Sequence, residues 1–330
     1  MNIWIDSLLA VLSVALAIRC LLARRLSECV FLFFSFGLTL AMAWSRLGAV
    51  DVAIAEAAIG DGFLGVLLIN ALRDFSGTPV GFPDVSRKLR DRVGRALMYA
   101  TLLLGFGVIL LYALQAVHEI PPGGGLTRHV KENMAVSGVD HPVTAVLLNF
   151  RGYDTWLEVG VVLLALLAIF AAGGRESFRM YERTMQEPVL DPAIRIFTPV
   201  LFLVGGFVLY LGKSEPGGAF QAAVLWGASG ILLYLGGWPV MCLLPRRAWT
   251  AVMAAGFACF LLLGLAFMGA GGRWFEYPVA HAGLLILAVE TLAALSIGAT
   301  LMAIFVFFHE TYQSNGSDPD AESAADRPTN

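Results

Sequence analysis

Charge is scarce in this chain of 330 residues. Only 14% of the residues are charged, 58% are hydrophobic, and the mean hydropathy is +0.75. Soluble globular domains carry about 25% charged residues, so the composition excludes an ordinary soluble domain and indicates a polytopic membrane protein. The formal net charge of -3 also argues against a nucleic-acid partner, because proteins of that class present a basic surface.

Cysteine is rare as well, with four residues and no CxxC pair. Cys20, Cys29, Cys242 and Cys259 lie in or beside apolar runs, which favours small core residues over metal or disulfide sites. The GxSxG, HExxH and P-loop motifs are missing too. We therefore expect no cofactor, no metal and no enzymatic activity of the chain itself.

Long apolar runs are abundant. Each membrane-spanning helix needs about 20 apolar residues, and these runs lack the period-two alternation of barrel strands. The sequence therefore predicts an all-α integral membrane protein with about nine transmembrane helices. The candidate spans are residues 3–23, 28–48, 50–72, 96–117, 153–173, 195–212, 218–244, 248–270 and 278–308.

The distribution of Lys and Arg predicts the orientation. If the N-terminus is outside, fifteen of the 22 basic residues fall in inside loops and span ends, and six fall outside. Because basic residues are enriched on the inner side of a membrane, the sequence predicts N-out and C-in. The first span has no basic region before it and no Ala-x-Ala site, so it is predicted to be retained rather than cleaved.

The third predicted span carries three acids, Asp51, Glu56 and Asp61. A carboxylate at membrane depth costs at least ~2.5–3.5 kcal/mol, so we expect these residues to have a task. In an α-helix each step of five residues turns 140°, so the acids do not form one stripe. Two interpretations stay open for Glu56 and Asp61: proton or cation transfer, and pairing with a base of a partner subunit. The Gly and Ala content of the span permits a local π-bulge.

A second acidic pair, Asp154 and Glu158, lies one turn apart at the outer end of the fifth predicted span. One interpretation is an ion-pair cap at the start of the helix, formed with Arg151. The other is a cation-attracting outer mouth, in which Glu158 is the deeper group and the better candidate for transfer.

His281 and Glu290 lie in the last predicted span. Nine residues correspond to two and a half helical turns, so the two side chains face opposite sides and cannot pair directly. Glu290 is predicted near mid-membrane and is a candidate for transfer. His281 is either a proton relay, since imidazoles titrate near neutral pH, or a satisfied histidine at the outer end.

The predicted outer loops contain further polar groups without a recognised site. His118, His129 and His141 show no metal-ligand spacing. The apolar segment 143–150 is predicted to lie flat on the membrane surface. Lys213 and Glu215 are predicted to form a salt bridge in a solvated turn.

Three motifs, in order along the chain, resemble one family. DVAIAEAAIG at 51–60 resembles the signature of the MbhD family, which corresponds to the end part of the large MrpA protein of antiporters. NFRGYDTWLE at 149–158 resembles the DFRGFDTxGE element of MbhE. KSEPGGAF at 213–220 resembles the Pro-Gly-Gly turn of the MnhB/MrpB family. The chain is thus similar to a fused MbhD–MbhE–MnhB subunit of Mrp-type antiporters and related membrane modules.

The resemblance implies four regions. They are an MbhD-like block of three helices (1–95), an MbhE-like block of two helices and an outer loop (96–190), an MnhB-like block of four helices (191–313), and a disordered acidic tail (314–330).

The resemblance also implies a function. We expect a subunit of a multisubunit Na+/H+ antiporter in a bacterial or archaeal plasma membrane, in contact with lipid, Na+ and H+. Its partners would be large antiporter-like subunits and small helical subunits, and its buried carboxylates would take part in translocation. The alternative is a bridging subunit in an Mrp-like redox-driven complex, such as an energy-converting hydrogenase.

Overall fold

The computed structural model describes residues 3–75, 89–118, 126–172 and 189–316. Within these ranges the chain is helical and has no strand, which confirms the all-α class. The helices are α1 (Ile3–Leu22), α2 (Leu26–Arg46), α3 (Val50–Ala55), α4 (Leu64–Phe75), α5 (Leu89–His118), α6 (Leu126–Ser137), α7 (Pro142–Ala145), α8 (Gly152–Ala172), α9 (Leu190–Leu211), α10 (Ala219–Leu235), α11 (Arg246–Gly269) and α12 (Ala282–Gly316).

Two π-helices interrupt this pattern. The first, Glu56–Phe63, joins α3 to α4 so that the three pieces form one continuous span. The second, Val146–Phe150, follows α7. The predicted local π-bulge in the acidic span is therefore confirmed.

Eight helical segments in the described ranges are long and apolar enough to cross a membrane. The seventh predicted span is shorter than expected: α10 has 17 residues and ends at Leu235 rather than at residue 244. Two glycines, one of them Gly237 with φ of 77°, and then Pro239 follow directly and end the helix.

The short α10 still runs from one end of the helix bundle to the other. Its first residue donates a backbone hydrogen bond to Glu290 of α12. Near its other end, Tyr234 packs edge-on against His309, which lies about 28 Å further along α12 at 1.5 Å per residue. With α10 included, the described residues contain nine crossing segments, as the sequence predicted.

Helix α12 lies at the centre of the core and packs against α8, α9, α10 and α11. Small residues allow the close approach. A Cβ added to Gly298 of α12 would lie 2.9 Å from the Ala223 carbonyl oxygen of α10. Ser296 also donates its hydroxyl proton to the Met253 carbonyl of α11. Membrane helices commonly associate through such small-residue contacts and interhelical hydrogen bonds.

The outermost helices in the single chain are α1 and α5. No residue of α1 is buried, and the apolar stretch Leu97–Ala116 of α5 is exposed throughout. Helix α1 packs only along α2. These surfaces therefore face lipid or other subunits.

The segment 143–150, predicted to lie flat on the membrane surface, instead belongs to the protein body. It forms α7 and the second π-helix, and Ala145 and Leu148 are buried at 0% and 4% exposure. The predicted tail also begins later than expected, because α12 continues to Gly316. The remaining tail, the glycine-proline segment 121–125 and most of the two predicted inside loops lie outside the described residues.

Candidate functional site

One cavity brings together acids from the three predicted blocks. It has a volume of about 340 Å³ and is lined by Asp51 of α3, Glu158 of α8 and Glu290 of α12, with Gln221 of α10 and Thr155 of α8 beside them. The four helices all begin at the same end of the bundle, so the acids lie near the first turns. Sequence analysis identified the three carboxylates separately but did not place them together.

Asp51 is fixed at two oxygens by segments distant in sequence. Its Oδ1 accepts a hydrogen bond of 3.0 Å from the backbone N–H of Gly217. Its Oδ2 lies 3.5 Å from Nε2 of His141. Gly217 and Gly218, with φ of 159° and 128°, form the tight turn that directs this N–H toward the cavity. Asp51 is therefore the best-positioned carboxylate at the outer end of the cavity.

Glu158 and Asp154 take different roles despite their shared helix. Asp154 forms an ion pair with Arg151 at the start of α8, as one of the two interpretations predicted. Glu158 lines the cavity and is exposed in the single chain. The cavity is therefore open at the surface where Glu158 lies, and Asp154 contributes to the start of the helix.

Glu290 is the most buried acid of the cavity, with 3% exposure. Its carboxylate accepts a hydrogen bond from the backbone N–H of Ala219, the first residue of α10. A Cβ on Gly218 would lie 3.2 Å from its Oε1. Only a glycine leaves the carboxylate this much space at the helix start.

Helix N-termini supply the electrostatic environment of the cavity. The first turns of α3, α8 and α10 all contribute lining residues. Unpaired backbone N–H groups and the helix dipole stabilise negative charge at such ends. The fold thus offers partial positive charge to three carboxylates without a nearby Lys or Arg among the lining residues.

Glu56 and Asp61 lie outside this cavity. The lining residues from their span are Asp51, Val52, Ala55 and Ile59, which form the opposite side of the helix. The predicted turn of 140° between the two acids does not hold, because the i→i+5 bonding of a π-helix brings residue 61 nearly over residue 56.

The two carboxyl groups of the π-helix interact electrostatically. Glu56 folds back over Gly60, and both oxygens of Asp61 are buried against Gly37 of α2 without a hydrogen-bond partner. This second acidic site is separate from the cavity and contains a carboxyl group that no described residue satisfies.

Two predictions about the outer end are corrected. His281 precedes α12 and is exposed rather than lying inside the span, and it does not line the cavity. Lys213 and Glu215 are both exposed, and no ion pair joins them in the described part of the chain. The turn contributes its backbone instead: the carbonyl of Lys213 accepts hydrogen bonds from the N–H groups of Asp140 and His141.

Sequence analysis missed three polar groups around the acids. Gln221 is buried at 8% exposure, and its position just after the Pro-Gly-Gly turn was the available signal. His141 was set aside because it has no metal-ligand spacing. Tyr277, in the loop before α12, has a buried hydroxyl without a hydrogen-bond partner, and burial raises the pKa of this phenol, with smaller contributions from Cys259 and Glu290.

Two family models match most of the transmembrane body. Residues 11–76 match the MbhD family of MBH proteins, and residues 189–309 match the domain related to the MnhB subunit of Na+/H+ antiporters. The cavity acids Asp51 and Glu290 lie one in each match. Glu158 lies in the intervening segment, where the predicted MbhE-like block stays a prediction.

Known proteins with a similar sequence or fold are subunits of large complexes. The chain is 25% identical over 233 residues to a probable K(+)/H(+) antiporter protein of the A/B type from Rhizobium meliloti (strain 1021). That match covers 61% of this chain and only 23% of the relative.

Two solved structures have a similar fold. A chain of the Mrp complex from Dietzia sp. DQ12-45-1b aligns with a TM-score of 0.70 and 23% identity, over 92% of this chain and 34% of that chain. A chain of an archaeal membrane-bound sulfane sulfur reductase, a respiratory membrane complex, aligns with a TM-score of 0.51 and 23% identity, over 64% of this chain and 97% of that chain.

These matches agree with the motifs and with the nine-helix body. The chain is a multi-pass membrane protein, and it belongs to the family of Mrp-type fused subunits, with an MbhD domain followed by an MnhB-related domain.

Proposed function

We propose that this chain is a subunit of a multisubunit Mrp-type antiporter that exchanges monovalent cations, Na+ in the first place, for protons. The observation that carries the proposal is the cavity in which Asp51, Glu158 and Glu290 meet. A cavity lined by three carboxylates is suited to attract and hold a cation. Hydrophobic packing alone gives no reason to place three acids together in a membrane.

The three carboxylates differ in burial, and this difference suggests an order of events. Glu158, which is exposed, meets the cation first, and Asp51 holds it at the outer end of the cavity. Glu290 is almost fully buried. A buried carboxylate is costly unless its charge is compensated, so Glu290 binds either the cation or a proton as the other leaves.

Glu56 and Asp61 form a second proposed station. Asp61 has no hydrogen-bond partner among the described residues, and it interacts with Glu56 through the π-helix. A proton shared between two such carboxyl groups would remove one buried charge. We propose that this pair carries protons while the cavity receives the cation.

The chain would act with other Mrp-type membrane subunits rather than alone. The matched relative and the Mrp chain are about three to four times longer than the part they share with this chain. The exposed apolar helices α1 and α5 offer surface for such subunits. We propose large antiporter-like subunits and small helical subunits as the partners.

The test measures antiport by the whole complex in everted membrane vesicles that lack other cation/proton antiporters. A pH-sensitive dye reports proton movement when Na+ or K+ is added. We expect Glu158→Gln, Glu290→Gln and Glu56→Gln each to lower the initial rate more than tenfold while the complex still assembles. The matched control is Glu132→Gln, because Glu132 is an exposed acid paired with Arg128 on α6.

Two other results would change the conclusion. Wild-type rates in all three variants would contradict a role of these acids in translocation. Loss of the assembled complex in Glu56→Gln would favour the second candidate function, a bridging subunit of an Mrp-like redox-driven membrane arm. The similarity to a chain of the sulfane sulfur reductase complex is the observation that favours this candidate.

A further inference from the structure

His141 lies in a segment that is held tightly against two other regions. The backbone N–H groups of Asp140 and His141 both donate to the Lys213 carbonyl oxygen at 3.0 Å. Thr144 donates its hydroxyl proton to the Gly212 carbonyl. The backbone position of His141 is therefore fixed before its side chain makes any contact.

The left-handed glycine Gly138 fixes the same segment from the other side. Its φ is 81°, and a Cβ at this position would collide with Ala282 and with the backbone of Gly283 at the start of α12. A residue with a side chain would be both strained and blocked there. The segment 138–144 is thus set between the turn before α10 and the first turn of α12.

From this position the imidazole reaches Asp51. Its Nε2 lies 3.5 Å from Oδ2 of Asp51, and the two side chains are only 12% and 16% exposed. The other oxygen, Oδ1, is held by the N–H of Gly217. Asp51 is therefore contacted from both sides by groups whose backbones are hydrogen-bonded to each other's segments.

No other charged side chain in the described part of this region competes for that contact. Asp140, Lys213 and Glu215 are all exposed, so their charges are solvated. The distance of 3.5 Å is longer than a normal N–H···O hydrogen bond of about 2.7–3.2 Å. The imidazole thus orients Asp51 without occupying its oxygen tightly, and Oδ2 remains accessible to a cation.

We propose that His141 is a positioning residue for cation uptake: it holds the Asp51 carboxylate over the outer end of the acidic cavity. This inference rests on the proposed function, in which Asp51 receives a monovalent cation. It assigns a role to a residue outside the three motifs that carry the family resemblance. The contact also joins the three predicted blocks, since Asp51, His141 and Gly217 come from one block each.

The experiment uses the whole complex in the same vesicles and separates cation affinity from maximal rate. We expect His141→Ala to raise the half-saturating Na+ or K+ concentration about fivefold, the size typical of one partly exposed contact to a charged group. The maximal rate should change less than twofold. His141→Gln should restore affinity, because its amide donates a hydrogen bond. His129→Ala is the control, since His129 is 73% exposed on α6.

His141→Leu is measured beside His141→Ala, because it fills the space without providing a donor. Both apolar variants should show the same change in affinity. If neither assembles with its partner subunits, His141 is a structural contact and the positioning role is overturned. A wild-type half-saturating concentration in both variants also overturns it.

A double-mutant cycle with Asp51→Asn shows whether the two residues act together. We expect His141→Ala to add no further loss of affinity when Asp51→Asn is already present. Additive losses would overturn the positioning role and leave the proposed function standing. An Asp51→Asn complex with wild-type affinity and rate would instead overturn the part of the proposed function assigned to Asp51.

Discussion

At the scale of single residues, the local packing of each carboxyl group separates acids that look alike in the sequence. Asp154 and Glu158 are four residues apart, yet one pairs with Arg151 and the other lines the cavity. Asp51 and Asp61 share one span, yet one is hydrogen-bonded and the other has two buried oxygens without a partner in the described chain. Hydrogen-bond partners, rather than residue type, distinguish these sites.

Gly37 provides the residue-scale prediction. The Asp61 carboxyl lies directly against this glycine, so Gly37→Ala would force the carboxyl or α2 to move. We expect a loss of stability of about 1–3 kcal/mol, as for other overpacked sites, visible as a lower melting temperature of the purified complex. Gly105→Ala on α5 is the control, because a Cβ there meets nothing within 4 Å. An equal melting temperature for both variants would mean that Asp61 does not pack on Gly37.

At the scale of elements, the π-helix changes which residues share a face. A regular α-helix from Val50 to Phe75 would turn Asp61 away from Glu56 by 140°. The π-helix Glu56–Phe63 brings the two acids to one side and leaves Asp51 and Ile59 facing the cavity. The span thereby presents two acidic sites in different directions.

The α1–α2 hairpin allows a direct test of helix packing. The Sγ atoms of Cys20 and Cys29 lie 3.5 Å apart where the two helices meet. A disulfide requires about 2.05 Å, so a small movement suffices for cross-linking. We expect a mild oxidant to form this bond in the native complex, with two protons and two electrons passing to the oxidant. Mass spectrometry under non-reducing conditions would detect the linked peptides.

Cys29→Ser is the control for that cross-link and should abolish it. Cys242 and Cys259 should stay unlinked to Cys20, because neither contacts it in the structure. Failure to cross-link Cys20 and Cys29 under conditions that oxidise other accessible thiols would contradict the packing of α1 on α2.

At the scale of the whole molecule, nine crossing segments place the starts of α3, α8, α10 and α12 at one end. This common end is what allows acids from distant parts of the chain to share a cavity. The direction of that end relative to the membrane stays a prediction, since it rests on the distribution of basic residues. With N-out topology, the cavity opens toward the outside.

Cys242 reports the orientation. It is exposed and lies in the turn between α10 and α11, which the N-out topology places inside. In a chain whose other cysteines are replaced by alanine, a membrane-impermeant maleimide should label Cys242 in inside-out vesicles and leave it unlabelled in intact cells. The opposite pattern would reverse the predicted topology and place the cavity on the inner side.

Purification of the tagged chain in mild detergent tests the assembly. We expect it to copurify with antiporter-like membrane subunits, because α1 and α5 expose more apolar surface than a single chain needs to bury. Copurified iron–sulfur or other metal-centre subunits would indicate the redox-driven membrane arm instead. Recovery of the chain alone would contradict its role as a subunit.

The sequence by itself determined the membrane class, the nine crossing segments, the family and the identity of the acidic residues. These features depend on local composition and short motifs, which are readable without a fold. Only the tertiary structure decided that Asp51, Glu158 and Glu290 share a cavity, that a π-helix joins Glu56 to Asp61, and that His141 contacts Asp51. Such contacts bring together residues as distant in sequence as Asp51 and Glu290, and their geometry depends on how the helices pack.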